Sequence, residues 1–356
     1  MITDAVLEQG VVRGIVTNEQ VDSLRILARD MAAAAIPEPE DDEKLRFVTG
    51  FSDIFVTLGL GLFTGSLGYF GSLFGSIVMW PVLAVAAWLL AEFFTRKRRM
   101  ALPSIALLGL FAFSVFAAAA HALRWAFEGA PESYLPLRIW LFQSPWIAVV
   151  AGLITVGMTA LHYRRFRVPV TIAAGTAALV VALLGVLLAI FPKPPSGMIL
   201  LTLFLAGCGV FALAMRFDLS DPERVTRRND IAFWLHLLAA PMIVHPLVSS
   251  FLGNTILPPM GMSVAVLAMF ALLGAVAVVI DRRAILVSGL AYAGYAFASL
   301  IREVGLEDQT VPATLLALGA FVLLLSAGWR PVRTALLRLL PNHLAQRLPH
   351  PILSSS

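Results

Sequence analysis

The sequence is short of charge, of histidine and above all of cysteine, and each shortage removes a class of function. Cys208 is the only cysteine in 356 residues, so neither an intrachain disulfide nor a cysteine-based zinc site can form. Charged residues make up 13% of the chain against 59% hydrophobic, where soluble domains carry roughly 25% charge. That balance excludes a water-soluble fold. No Walker-type phosphate loop, HExxH zinc motif or GxSxG nucleophile elbow occurs, which argues against ATP-driven transport and membrane metalloprotease chemistry. The net charge of +4 is no nucleic-acid signature, because no Lys/Arg-rich stretch is interleaved with stacking aromatics on a polar domain. The sequence assigns no catalytic residue, no cofactor and no metal ligand set.

What the chain does have is long apolar runs. A bilayer core of roughly 30 Å is crossed by about 20 helical residues at 1.5 Å each, and runs of that length lie near 52–72, 74–95, 101–122, 145–163, 168–191, 197–216, 231–252, 261–280, 284–301 and 311–329. The expected fold class is therefore all-α: a polytopic transmembrane helix bundle of about ten spans over residues 51–329, with the lipid bilayer as its main partner. Every second connection is basic, through Arg96, Lys97, Arg98 and Arg99, then Arg164, Arg165 and Arg167, then Arg224, Arg227 and Arg228, then Arg282 and Arg283. Of the 26 Lys and Arg, all but Arg124, Arg138, Lys193 and Arg302 fall on the side of the N-terminus. The positive-inside rule then predicts that both termini are cytoplasmic. Ten spans also divide five and five, and an odd repeat would insert its second half upside down.

The flanks read differently from the spans. Residues 1–35 look like a cytosolic helical segment, with Thr17 and Gln20 spaced as a capping box and Val21, Leu24, Leu27, Ala28 and Met31 along one stripe. This segment is a candidate contact for a cytosolic protein partner. Residues 36–50 form an acidic linker with Pro37 and Pro39. Residues 1–50 lack the short apolar core of a cleavable signal peptide, so the first span is expected to do the targeting. The loop 123–144 carries Trp125, Phe127, Tyr134, Trp140 and Phe142, a pattern for an interfacial segment. Residues 330–356 alternate Arg330, Arg333, Arg338 and Arg347 with Leu336, Leu337, Leu339 and Leu340, a basic amphipathic tail suited to anionic lipid.

The seventh span carries the most chemistry. It contains His236, Pro241, His245, Pro246, Ser249 and Ser250, and ionisable groups inside a membrane mark candidate substrate or ion paths. Each proline removes one helical hydrogen bond, so the helix is expected to be kinked or broken around His245. His236 and His245 are nine residues apart, about 180° around an ideal helix, which keeps them from sharing a ligand. Asp53, Glu92 and Asp230 fall at the inner ends of the first, second and seventh spans. They are candidates for a cytoplasmic vestibule facing Arg96, Arg227 or Arg228, or else helix-end charges that pair locally. In the first span Gly59, Gly61, Gly65, Gly68 and Gly71 offer a small face for helix packing.

Three short stretches carry a resemblance: Gly14-Ile15-Val16-Thr17-Asn18-Glu19-Gln20, Phe51-Ser52-Asp53-Ile54-Phe55, and Arg227-Arg228-Asn229-Asp230 leading into Phe233-Trp234-Leu235-His236. In these the chain resembles uncharacterised bacterial multi-pass membrane proteins, catalogued as domains of unknown function, that open with a short cytosolic helical module. The resemblance implies a bacterial inner-membrane protein and supplies no activity. Three functions stay open at this point: a permease for a small, neutral or weakly charged solute, a non-catalytic sensor or scaffold, and a lipid-modifying enzyme with His236 or His245 as general base.

Overall fold

In the computed structural model the described residues are 9, 11–23, 51–129, 144–221, 226–252, 260–303, 305 and 307–340. The chain divides into two units, Met1–Arg46 and Phe47–Ser356. In the first unit the expected capping box is formed: the Thr17 backbone N–H donates to Gln20 Oε1 at 2.9 Å, and the Gln20 N–H donates to Thr17 Oγ1 at 3.2 Å. Residues 18–23 follow as helix, with Val21 buried. The remainder of the predicted stripe and the acidic linker lie outside the described residues.

The second unit is helical throughout its described residues. Its long helices are α1 (Phe51–Ser72), α2 (Ser76–Ala91), α3 (Ala101–Glu128), α4 (Pro145–Phe166), α5 (Val170–Ile190), α6 (Ser196–Leu219), α7 (Arg227–Leu252), α8 (Met260–Val279), α9 (Ala284–Glu303) and α10 (Thr310–Ala327). A short helix, α11 (Trp329–Arg338), follows. Among the described residues nine helices are long and apolar enough to cross a membrane; α9, 20 residues long, stands where the ninth span was expected. Each observed helix overlaps its predicted run, so the all-α polytopic bundle is the fold. Leu58, Leu62, Leu315, Leu316, Leu323 and Leu324 of α1 and α10 are exposed on the bundle surface. Such an apolar exterior suits lipid tails, which demand no polar cover.

Two sequence expectations are corrected. The third helix runs on to Glu128 and takes Arg124, Trp125 and Phe127 into its last turns, so the connection expected from residue 123 starts later. Gly129, at φ 84°, ends it, a conformation that costs glycine little; residues 130–143 lie outside the described residues. Of the kink or break expected in the seventh helix, the break is absent: α7 is helical through both Pro241 and Pro246. Each proline forfeits one backbone bond, which neighbouring helices and local adjustment make tolerable in a membrane helix.

Short connections make successive helices antiparallel, so even-numbered helices end on the side where α1 begins, called here the near face. Packing follows the hairpins α2–α3, α4–α5, α6–α7 and α8–α9, and α7 also touches α5, α8 and α9. The α4–α5 and α6–α7 contacts depend on glycine. A Cβ at Gly152 would lie 2.9 Å from the Ala178 carbonyl oxygen, and one at Gly207 would lie 2.9 Å from Met242 Cβ. In α1, by contrast, a Cβ at Gly59, Gly61 or Gly65 would meet nothing within 4 Å, and only Gly71 makes a close approach, to Met79. The small face read in the first span is therefore largely unused among the described residues.

Near-face turns share a device. Arg99, Arg167 and Asp281 adopt left-handed backbone conformations, at φ 53°, 53° and 58°, which lets the chain reverse without glycine at a cost of about 1–2 kcal/mol each. Asp281 accepts a hydrogen bond from Trp329 Nε1 at 2.7 Å, and Arg283 stacks on the same indole at 5.1 Å. Trp329 is buried, so the first residue of α11 is held against the α8–α9 turn. Residues 341–356, with Arg347, lie outside the described residues.

Candidate functional site

An acid at the C-terminal end of a helix opposes the helix dipole and needs a partner. Of the acids at near-face helix ends, Glu92 after α2 and Asp218 in α6 are answered by arginine. Glu92 begins a π-helical turn, Glu92–Lys97, whose wider winding carries the chain out of α2. Its carboxylate accepts from Arg165 Nε at 2.7 Å and Nη2 at 3.0 Å, a fork from the end of α4, and from Arg96 Nη1 at 3.2 Å. This cluster is open to solvent. Its cross-helix partner is Arg165, an arginine from the fourth helix that the vestibule reading did not name.

Asp218 is in the opposite environment. Its side chain meets His236 of α7, with Nε2 2.8 Å from Oδ2, and Arg282 of the α8–α9 turn, which donates through Nε to Oδ2 at 3.2 Å and through Nη2 to Oδ1. Arg282 Nη2 also donates to Asn229 Oδ1 at 2.6 Å. Solvent exposure is 0% for His236, 1% for Asp218 and Arg282 and 5% for Asn229, so the group is sealed. An ionised carboxylate only accepts hydrogen bonds, which places a proton on His236 Nε2. Phe211 of α6 closes over the imidazole at 5.2 Å between ring centroids. The cluster ties three elements together at the near face: the end of α6, the first turns of α7 and the turn before α9.

His245 lies on a different face of α7, as the nine-residue spacing predicts. Its Nδ1 is 2.5 Å from Tyr292 Oη of α9 and 3.4 Å from Ser249 Oγ, and the residue is exposed. Pro241 is also exposed and Ser249 half-buried, so residues 241, 245 and 249 line one accessible face at the four-residue helical spacing. Pro246 is buried. The five path candidates thus divide into a sealed member, His236, an accessible set, Pro241, His245 and Ser249, and Pro246 in the packing. When Tyr292 donates to Nδ1, the neutral ring carries its proton on Nε2, a donor with no described partner.

Asp53 is buried in the first turn of α1, and its backbone carbonyl accepts from the Thr57 hydroxyl at 2.7 Å. Asp230 is half-buried one residue beyond Asn229. A further histidine that the sequence gave no reason to single out, His162 of α4, is buried against Trp88, Phe111 and Phe166, with Thr171 Oγ1 3.3 Å from its Nδ1. Its surroundings are a packed aromatic core. Among the described residues no group of three or more His, Cys, Asp or Glu is placed to hold a metal ion.

Sequence reasoning missed Asp218 and misassigned Arg282. The sixth apolar run ends at residue 216, two short of Asp218, and among the basic connections Arg282 reads only as a charge that sets orientation. The usable signal was the acid against the helix dipole, which asks for a cation from elsewhere in the fold. No protein-family model matches this chain, and neither a curated protein nor a solved structure matches it.

Proposed function

We propose that this multi-pass membrane protein is a permease for a small, neutral or weakly charged solute that is met by His245, Tyr292 and Ser249. The observation that carries the reading is an exposed imidazole within a helix long and apolar enough to cross a membrane. His245 lies seven residues before the end of α7, about 10 Å along the helix axis. A polar side chain exposed there is costly unless something polar visits it. Its Nε2–H suits a carbonyl or hydroxyl oxygen on the solute, and among the described residues its hydrogen-bond partners are Tyr292 and Ser249, with no arginine or lysine to hold a strong anion. The same helix is sealed at its near end by the Asp218 cluster, which fits a path entered from the far side and closed at the near one.

We further place the protein in a bacterial inner membrane with both ends cytoplasmic. The support is the charge of alternate connections and the resemblance of the three short stretches named above.

The test is thermal stability of the protein in lipid nanodiscs against a panel of neutral and weakly charged metabolites between about pH 5 and 8. A solute at 100 times its dissociation constant stabilises the folded state by about 2.7 kcal/mol. The expected result is a stabilising solute whose effect disappears in His245→Ala. A solute that stabilises His245→Ala as well as wild type, or a panel without effect on either, would count against the site.

A further inference from the structure

We infer that the buried Asp218–His236–Arg282–Asn229 cluster is a proton-binding site, in which protonation of His236 frees Arg282 and loosens the near end of α6–α7 from the α8–α9 turn. The inference rests on the permease reading for its use, since the proton would be the coupling ion. It does not rest on that reading for its test.

The charge inventory is short. His236 meets Asp218 from α6, and the same carboxylate holds Arg282 of the α8–α9 turn, which also donates to Asn229 of α7. Two other helices packed on α7 bring no ionisable side chain, Val170–Ile190 and Met260–Val279. The ionisable groups of α9 are Tyr292, beside His245 two turns further along α7, then Tyr295 and, in the last turn, Arg302 and Glu303. Tyr163 of α4 packs on the same apolar cluster. Of the nearby charges, Arg216, Arg227 and Arg228 are exposed, Asp230 is half-buried, Asp221 is buried and accepts from the N–H and hydroxyl of Thr226, and Asp281 and Arg283 are engaged with Trp329.

With a neutral imidazole the cluster balances one carboxylate against one guanidinium, and Nε2–H already donates to Asp218. A proton taken up from water binds Nδ1, and no other bond need form or break. The sealed site then holds two cations and one anion, and the carboxylate accepts all three of its hydrogen bonds from cations. Buried charge without compensation is strongly disfavoured. Arg282 is the member able to leave, since it sits in a turn at the near face rather than inside a helix. Its departure also strips Asn229 of its donor. The α8–α9 turn would then separate from the ends of α6 and α7, which His236 and Asp218 still hold together, and loss of the proton would reset it.

The experiment uses the full chain in lipid nanodiscs without any solute. Nitrogen-15-labelled histidine reports the ionisation of His236 by NMR, assigned by the resonance missing in His236→Gln, while hydrogen exchange follows residues 280–283. The expected result is a His236 titration between about pH 5 and 8, with exchange at 280–283, corrected for its intrinsic pH dependence, rising as the imidazole is protonated. Asp218→Asn should move the titration to lower pH, because the imidazolium loses its anion, and Arg282→Gln should move it higher, because a competing cation is gone. The opposed shifts follow from charge alone; what a purely structural ion pair does not predict is exchange at 280–283 that rises with the titration. The wild-type titration needs no variant to fold: a His236 that keeps one protonation state throughout, or exchange at 280–283 that ignores pH, overturns the inference. Failure of the solute panel would leave this titration untouched, so the two readings fail separately.

Discussion

At the residue scale, the same chemistry in two environments has two consequences. Glu92–Arg165 and Asp218–Arg282 are both forked acid–arginine contacts at near-face helix ends. The first lies in solvent, where ion pairs contribute little. The second is sealed, and removing one member leaves the other charged and uncompensated. Arg282→Ala should therefore destabilise the protein by about 3–5 kcal/mol, measured by denaturant or thermal unfolding in nanodiscs. Arg165→Ala should leave the unfolding transition almost where it was. Equal effects of the two would show that burial is not what separates them. Replacing the whole Asp218 cluster with well-packed apolar residues need not destabilise at all, which suggests that its value is in switching.

At the element scale, close helix packing here depends on where glycine is placed more than on how many a helix has. The first helix is the glycine-laden one, yet Gly61 and Gly65 face open space, whereas single glycines in α4, α5 and α6 carry backbone-close contacts. Lipid supplies no hydrophobic drive for association, so such contacts stabilise by shape alone. Gly152→Ala should cost about 1–3 kcal/mol from overpacking against Ala178 and Ala182, read as a lowered unfolding temperature. Gly61→Ala should be neutral or stabilising, since alanine is the better helix former by about 1 kcal/mol and meets nothing. Spacing in sequence cannot tell these glycines apart, because helix rotation is decided by the neighbours. The seventh helix makes the same point: its two prolines predict a kink or a break, and α7, packed on α5, α6, α8 and α9, stays helical through both.

At the scale of the whole molecule, orientation and internal order can be tested together. In a Cys208→Ser background, single cysteines replacing Arg98 and Arg164 should react with a membrane-impermeant reagent from one side of a sealed vesicle, and one replacing Lys193 from the other. The same side for all three would overturn the alternation of the bundle. The acid–arginine pairs add a relation that the span count did not suggest. The acid after α2 meets the arginine at the end of α4, and the acid of α6 meets the arginine after α8. Both pairs lie on the near face, so they relate helices by a shift of four with the same direction of insertion. A five-and-five inverted division would place them on opposite faces.

The sequence by itself determined the solvent, the fold class, the place of ten helices and the capping box at Thr17. All of these follow from local composition, apolar run length and short-range spacing, which physical chemistry reads along the chain. It also determined that His236 and His245 occupy different faces of one helix, since helical geometry alone settles that. Only the tertiary structure decided that Asp218, Asn229, His236 and Arg282 meet, and that His245 stays accessible beside Tyr292. Arg282 is 64 residues from Asp218, and an identical arginine one position further on stacks on Trp329 instead. Whether a charge at a helix end is solvated or sealed depends on which neighbouring helix closes over it, and no local pattern carries that information.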